Sequence, residues 1–104
     1  GLSFKKPEIS KKRISSFHLY IIKVEKKIRN KLFDYLIKNK IFINMHYLPV
    51  HLHPFYKNKG FKNGDFPNSE LHSLTSISLP IYPELSKNKQ FRVIKLIKKF
   101  FFKL

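Results

Sequence analysis

Asn44-Met45-His46-Tyr47-Leu48-Pro49-Val50-His51-Leu52-His53-Pro54-Phe55-Tyr56 gathers three of the chain's five histidines, two prolines and three Phe or Tyr rings. Ile41-Phe42-Ile43 reads as a strand that feeds into it. Lys59-Gly60 and Asn63-Gly64-Asp65 are turn signals that lead away. Polar rings and two proline breaks at a strand end suggest a site, because such loops carry function on a rigid frame. The fold class then depends on what flanks the stretch.

Upstream, residues 15–24 have the β-branched and aromatic content of a strand. Phe17, Leu19 and Ile21 alternate with His18, Tyr20 and Ile22, giving one apolar face and one mixed face. His18 reads best as a hydrogen-bonded structural histidine on the second. Residues 26–39 carry Ile28, Leu32, Phe33, Leu36 and Ile37 at three- and four-residue steps, the stripe of an amphipathic helix. Asn39 is placed to take the left-handed conformation that often ends a helix. Ile41 to Met45 completes a strand-helix-strand order, a βαβ-like or split unit.

Downstream, residues 57–66 read as loop. A short helix over Asn68 to Thr75 follows, capped by Asn68 or Ser69. Ser76-Ile77-Ser78-Leu79 alternates like a third strand, closed by Pro80 and Pro83. Ser86 is placed to cap a last helix with Val93, Ile94, Ile97, Phe100 and Phe101 along one side. The basic, polar residues 1–14 read as a linker arm. The expectation is one α/β domain over residues 15–104, of the α+β kind: a sheet of about three strands with helices packed on one side.

A chain of 104 residues holds one domain. The formal charge of +16 would ordinarily point to nucleic acid, an anionic membrane or an acidic partner. Nineteen of the 22 basic residues, however, are lysine. They run the length of the chain beside abundant Asn, Ile and Phe, as AT-rich codons supply. Readers of phosphate and base edges lean on arginine for its two-pronged fork. Nucleic acid is therefore not the expected partner. No apolar run approaches the length of about 20 residues that spans a bilayer, no secretory signal is seen, and a cytoplasmic setting is expected. The absence of cysteine excludes disulfides and thiolate metal sites.

His46, His51 and His53 could ligate zinc, with the last two on one face of an extended segment. No acid lies inside the stretch, so no metal site is assigned. No Gly-rich phosphate loop or nucleophile elbow is present, and the six acids show no pairing near the histidines. What remains is a wall of imidazoles, a Tyr hydroxyl, an Asn amide and flat rings. That inventory suits a hydroxyl-rich sugar or nucleotide-sugar. The satisfied interior of a turn region would use the same residues.

Several blocks resemble the C-terminal part of the DegT/DnrJ/StrS family of PLP-dependent sugar aminotransferases. Ser16-Phe17-His18-Leu19-Tyr20 is similar to the family's Ser-Trp-His-Leu-Tyr. Arg29 through Ile41 resembles its Arg…Leu…Leu…Lys-Gly-Ile helix and turn, with Asn39-Lys40 where Lys-Gly is usual. Met45 to Tyr56 resembles His-Tyr-x-Pro-x-His-Leu-x-Pro-x-Tyr. Gly60 to Glu70 is similar to Gly-Tyr…Gly-Asp-x-Pro-x-Ala-Glu, with Ser69 for Ala, and Ser78-Leu79-Pro80-Ile81-Tyr82-Pro83 to Ser-Leu-Pro-Leu-x-Pro. The blocks are in order from Ser15 onward. Within the family, Asn44 to Pro54 looks nearest to the aminotransferases of pseudaminic acid biosynthesis.

The resemblance implies the small C-terminal domain of a fold-type I aminotransferase, working as part of a longer, homodimeric enzyme. That enzyme would move an amino group from glutamate to a UDP-linked 4-keto-6-deoxy sugar. Pyridoxal 5′-phosphate and its Schiff-base lysine would lie in a larger N-terminal domain, so no catalytic or cofactor residue is carried onto this chain. The substrate wall implied here is His46, Tyr47, His51 and Phe55. The rivals are a free-standing basic module for RNA or another polyanion, and a remnant without function.

Overall fold

The computed structural model describes residues 4–104. Phe4–Lys5 (β1), Tyr20–Val24 (β2) and Ser76–Leu79 (β3) form one antiparallel sheet in the order β1-β2-β3. The helices are Lys26–Lys38 (α1), Pro54–Lys57 (α2), Pro67–Thr75 (α3) and Lys87–Phe102 (α4), with a 3-10 turn over Val50–Leu52. The expected small sheet with packed helices is therefore what forms. Two residues of the basic arm join it, since Phe4 pairs with Val24 and Lys5 with Lys23.

The core is apolar and lies on one face of the sheet. Ile22 pairs with Ile77 across β2 and β3. Both are buried together with Val24, Leu32 and Leu36 of α1, Ile41, and Val93 and Ile97 of α4. The period of the α1 and α4 stripes puts these side chains on inward faces. Removing a leucine of this size from water contributes roughly 1.5–3 kcal/mol, so Leu32 and Leu36 alone supply much of what fixes α1 on the sheet. Phe100 and Phe101 extend the packing, and Phe101 stacks on Phe4 at 5.6 Å. Ile37 and Ile94, expected in the stripes, are exposed at their edges.

Helix ends follow local chemistry. The Ser86 hydroxyl accepts from the Lys89 amide and caps α4 as expected. At α3 the cap position is Phe66 rather than Asn68 or Ser69, because Pro67 takes the first helical place, where its missing N–H costs nothing. At the end of α1 the left-handed residue is Lys40 (φ +59°), one position beyond Asn39. The Lys40 amide donates to the Ile37 carbonyl and the Ile41 amide to the Leu36 carbonyl, the two bonds of a Schellman ending. The Arg92 guanidinium reaches the Asn39 carbonyl at 2.7 Å and ties α4 to this turn.

Two strand expectations are corrected. The strand expected over residues 15–24 begins at Tyr20, because Phe17 sits at φ +49° and breaks the alternation. His18 therefore precedes the strand instead of lying on one of its faces. Ile41 to Met45 is not a strand, so no parallel βαβ unit forms. Only Asn44 pairs with β3, opposite Ser78. The next antiparallel rung would set Phe42 against Pro80, which has no N–H to give, and Phe42 is left exposed.

Candidate functional site

That single rung places the start of the histidine stretch. The Asn44 amide donates to the Ser78 carbonyl at 3.2 Å and the Ser78 amide to the Asn44 carbonyl at 2.8 Å. Two residues on, His46 Nδ1 lies 2.7 Å from the Ser78 hydroxyl. The His46–Tyr47 peptide bond is cis, and the two rings meet edge-on with centroids 4.5 Å apart. The Tyr47 side chain is 70% exposed. His46, Ser78, Asn44 and His18 line a recess of about 270 Å³ walled by Ile43 and Leu79. Imidazole, hydroxyl and amide groups there offer both donors and acceptors to a hydroxyl-rich ligand.

His51 faces the other way. It is buried, and its Nε2 lies 2.9 Å from Glu70 Oε1. Glu70 also accepts from the Gly64 amide at 2.8 and 3.0 Å and from the Phe66 amide at 3.4 Å. The His51 hydrogen bond, helped by these two amides, holds the Glu70 carboxyl below its ordinary value of 4.5, with burial opposing. With the carboxylate ionised and accepting, Nε2 is the nitrogen that carries the proton. Phe66 packs on the His51 ring at 4.8 Å. Val50, Tyr56, Phe61 and Phe66 line a second, more apolar recess of about 330 Å³ over His51.

The expectation that no acid pairs with the histidines is thus corrected by Glu70, nineteen positions away from His51 in sequence. The zinc geometry also dissolves. His46 bonds Ser78, His51 bonds Glu70, and His53 Nε2 lies 3.3 Å from the Leu48 carbonyl. His51 and His53 are not on one face of an extended segment, because Val50–Leu52 is a 3-10 turn. Among the described residues no three His, Asp or Glu side chains gather around a metal position. Phe55 is exposed on α2, edge-on to Tyr56 and 4.9 Å from the Lys59 ammonium. Of the four proposed wall residues, the structure brings His46 and Tyr47 together, turns His51 inward and sets Phe55 apart.

Arg29 supports the same region from α1. Its Nε donates to the Leu74 carbonyl at the end of α3, at 3.3 Å, and its Nη1 meets the Met45 sulfur. His18, Ser78 and Arg29 are contributors that the sequence did not single out for this site.

The profile of the DegT/DnrJ/EryC1/StrS aminotransferase family matches residues 2–98. The chain belongs to this family. No curated protein sequence matches it. Among solved structures, DesV of S. venezuelae, in complex with a ketimine intermediate, is 29% identical with a TM-score of 0.88 over 96% of this chain and 27% of its own. Spr1654 from Streptococcus pneumoniae, in its PLP form, is 30% identical with a TM-score of 0.86 over 97% and 27%. Helicobacter pylori PseC, an aminotransferase involved in the biosynthesis of pseudoaminic acid, is 25% identical with a TM-score of 0.76 over 86% and 25%. The chain therefore spans about a quarter of the length of these family members.

A pyridoxal site needs a recessed amine to hold the aldehyde and an acid facing the ring nitrogen. All 19 lysines of this family member lie among the described residues and all are exposed. The buried-side acid, Glu70, is engaged by His51 and two amides. The chain's own residues do not fit the cofactor.

Proposed function

We propose that this chain is the small C-terminal domain of a PLP-dependent nucleotide-sugar aminotransferase, with the cofactor held by a separate, larger domain. The reaction moves an amino group from glutamate, which leaves as 2-oxoglutarate, to C4 of a UDP-linked 4-keto-6-deoxy sugar of the pseudaminic acid type. The enzyme acts in the cytoplasm as a homodimer. His46 and Tyr47 touch the nucleotide-sugar, His51 shapes the wall from behind, and Phe55 flanks it on α2.

One observation carries the reading: His46 is fixed on Ser78 in a recess it shares with Asn44 and His18, and its ring meets the exposed Tyr47 edge-on. A 70% exposed tyrosine beside a half-buried, hydrogen-bonded histidine is arranged to meet something from outside. The test is conversion of the UDP-linked keto sugar to its amino sugar by the full chain that carries this sequence, followed by mass spectrometry with glutamate as donor. Appearance of the amino sugar together with 2-oxoglutarate is the expected result. A full chain that folds, carries pyridoxal phosphate and leaves the keto sugar unchanged contradicts the substrate assignment.

The charge of +16 favours the polyanion module as a second reading. It predicts affinity for RNA that falls by orders of magnitude from low to physiological salt. Release from heparin at moderate salt removes it.

A further inference from the structure

We infer that Glu70 is the positioning residue of the site wall: it clamps His51 and the turn ahead of α3, and so fixes Tyr47 between two anchors on one rigid unit. The inference rests on the reading of His46 and Tyr47 as the substrate wall.

α3 runs into β3 without a break, from Pro67 through Leu79. His46 is bonded to this piece at Ser78, and His51 is bonded to it at Glu70. Tyr47, Leu48, Pro49 and Val50 bridge the interval. Among the described residues, Tyr47 and Leu48 take part in no backbone–backbone hydrogen bond. The position of Tyr47 is therefore set by the side-chain anchors on either side of it, together with His53 Nε2 on the neighbouring Leu48 carbonyl. Pro49, which is buried, stiffens the bridge by fixing its own φ.

Glu70 is suited to the second anchor because its carboxylate only accepts, and each of its contacts is a donor. The imidazole, the Gly64 amide and the Phe66 amide converge on it. Gly64 stands at φ +96°, a conformation that glycine adopts without strain and that aims its amide at the carboxylate. A carboxylate that orients a histidine from behind is a recurring way to fix an imidazole that other groups depend on. Removing it leaves the Nε2 proton of a buried ring without a partner, which buried polar groups do not tolerate.

The experiment compares the full chain with its Glu70→Ala and Glu70→Gln variants by two readouts. The first is hydrogen–deuterium exchange, read by mass spectrometry over residues 50–53 and 62–66 and over the core of α4. The second is the affinity for UDP, measured by calorimetry. Glu70→Ala is expected to speed exchange in both loop segments on the order of tenfold while the α4 core keeps its protection, and to weaken UDP binding by a similar factor. Glu70→Gln, which keeps one acceptor, restores part of both and carries the comparison alone if the alanine variant does not fold. Unchanged exchange over residues 50–53, or exchange that rises equally in α4, overturns the clamp. Fast loop exchange in the variant with no UDP binding by the parent chain sustains the clamp and removes the nucleotide reading instead.

Discussion

Between α1 and the segment Asn44–Tyr56 the chain changes its means of support. Leu32 and Leu36 are held by apolar contact with Ile22, Ile77, Val93 and Ile97, spread over two strands and one helix. The segment that follows buries few apolar side chains. Met45, Tyr47, Leu48, Val50 and Phe55 are all exposed. Its fixed points are a backbone rung at Ser78, imidazoles on the Ser78 hydroxyl, on Glu70 and on the Leu48 carbonyl, and the Arg29 guanidinium on the Met45 sulfur. Apolar contact is non-directional and shared, so the core resists in bulk. Hydrogen bonds are directional and few, so the segment keeps an exposed outward face but can be released at single positions.

The strongest way to break this contrast is to attack the core. Leu36→Ala removes a fully buried side chain and is expected to cost about 2–5 kcal/mol, lowering the denaturation midpoint of the whole domain at once in a urea titration. A loss confined to the loop around Gly64 would contradict the division. A smaller effect of opposite sign sharpens it. Lys40 occupies the left-handed end of α1, where a side chain costs about 1–2 kcal/mol, so Lys40→Gly is expected to stabilise the core by about 1 kcal/mol. No gain in the midpoint would mean that Lys40 is compensated by contacts of its own.

The smallest effect is a local one. The folded carboxyl of Glu70 is held below its ordinary value of 4.5, first by His51. A depressed carboxyl contributes stability that is present above the unfolded value and is lost as pH falls through the folded one. Lowering the pH from neutral should therefore leave the segment intact until below about 4.5, and then loosen residues 62–66 ahead of the core. Exchange or proteolysis of that loop against pH reads this. Simultaneous loss of loop and core would show that the two are one cooperative unit.

Much of the core was legible because its signals are periodic. Leu32 and Leu36 declare an inward face by their spacing alone, and Ile77 and Ser86 fall where alternation and capping place them. Ile41-Phe42-Ile43 misled for a physical reason. Ile41 is consumed by the turn after Lys40, and Pro80 denies Phe42 a partner, so an apolar run with strand composition has no ladder to join. The site was half legible. His46 and Tyr47 come together through local chain direction, which the motif carries. The pairing of His51 with Glu70 and of His46 with Ser78 depends on where α3 and β3 are laid down, and no local pattern encodes a contact across such a separation.

The claim that this segment is a ligand wall meets its most direct test in UDP binding by the full chain and its Tyr47→Ala variant. Tyr47 is exposed, so the variant should keep the melting temperature of the parent. The account predicts that calorimetry finds UDP binding in the parent and a loss on the order of tenfold in the variant, the size of an aromatic contact in a binding hot spot. Equal affinity in the two proteins at equal stability would contradict it.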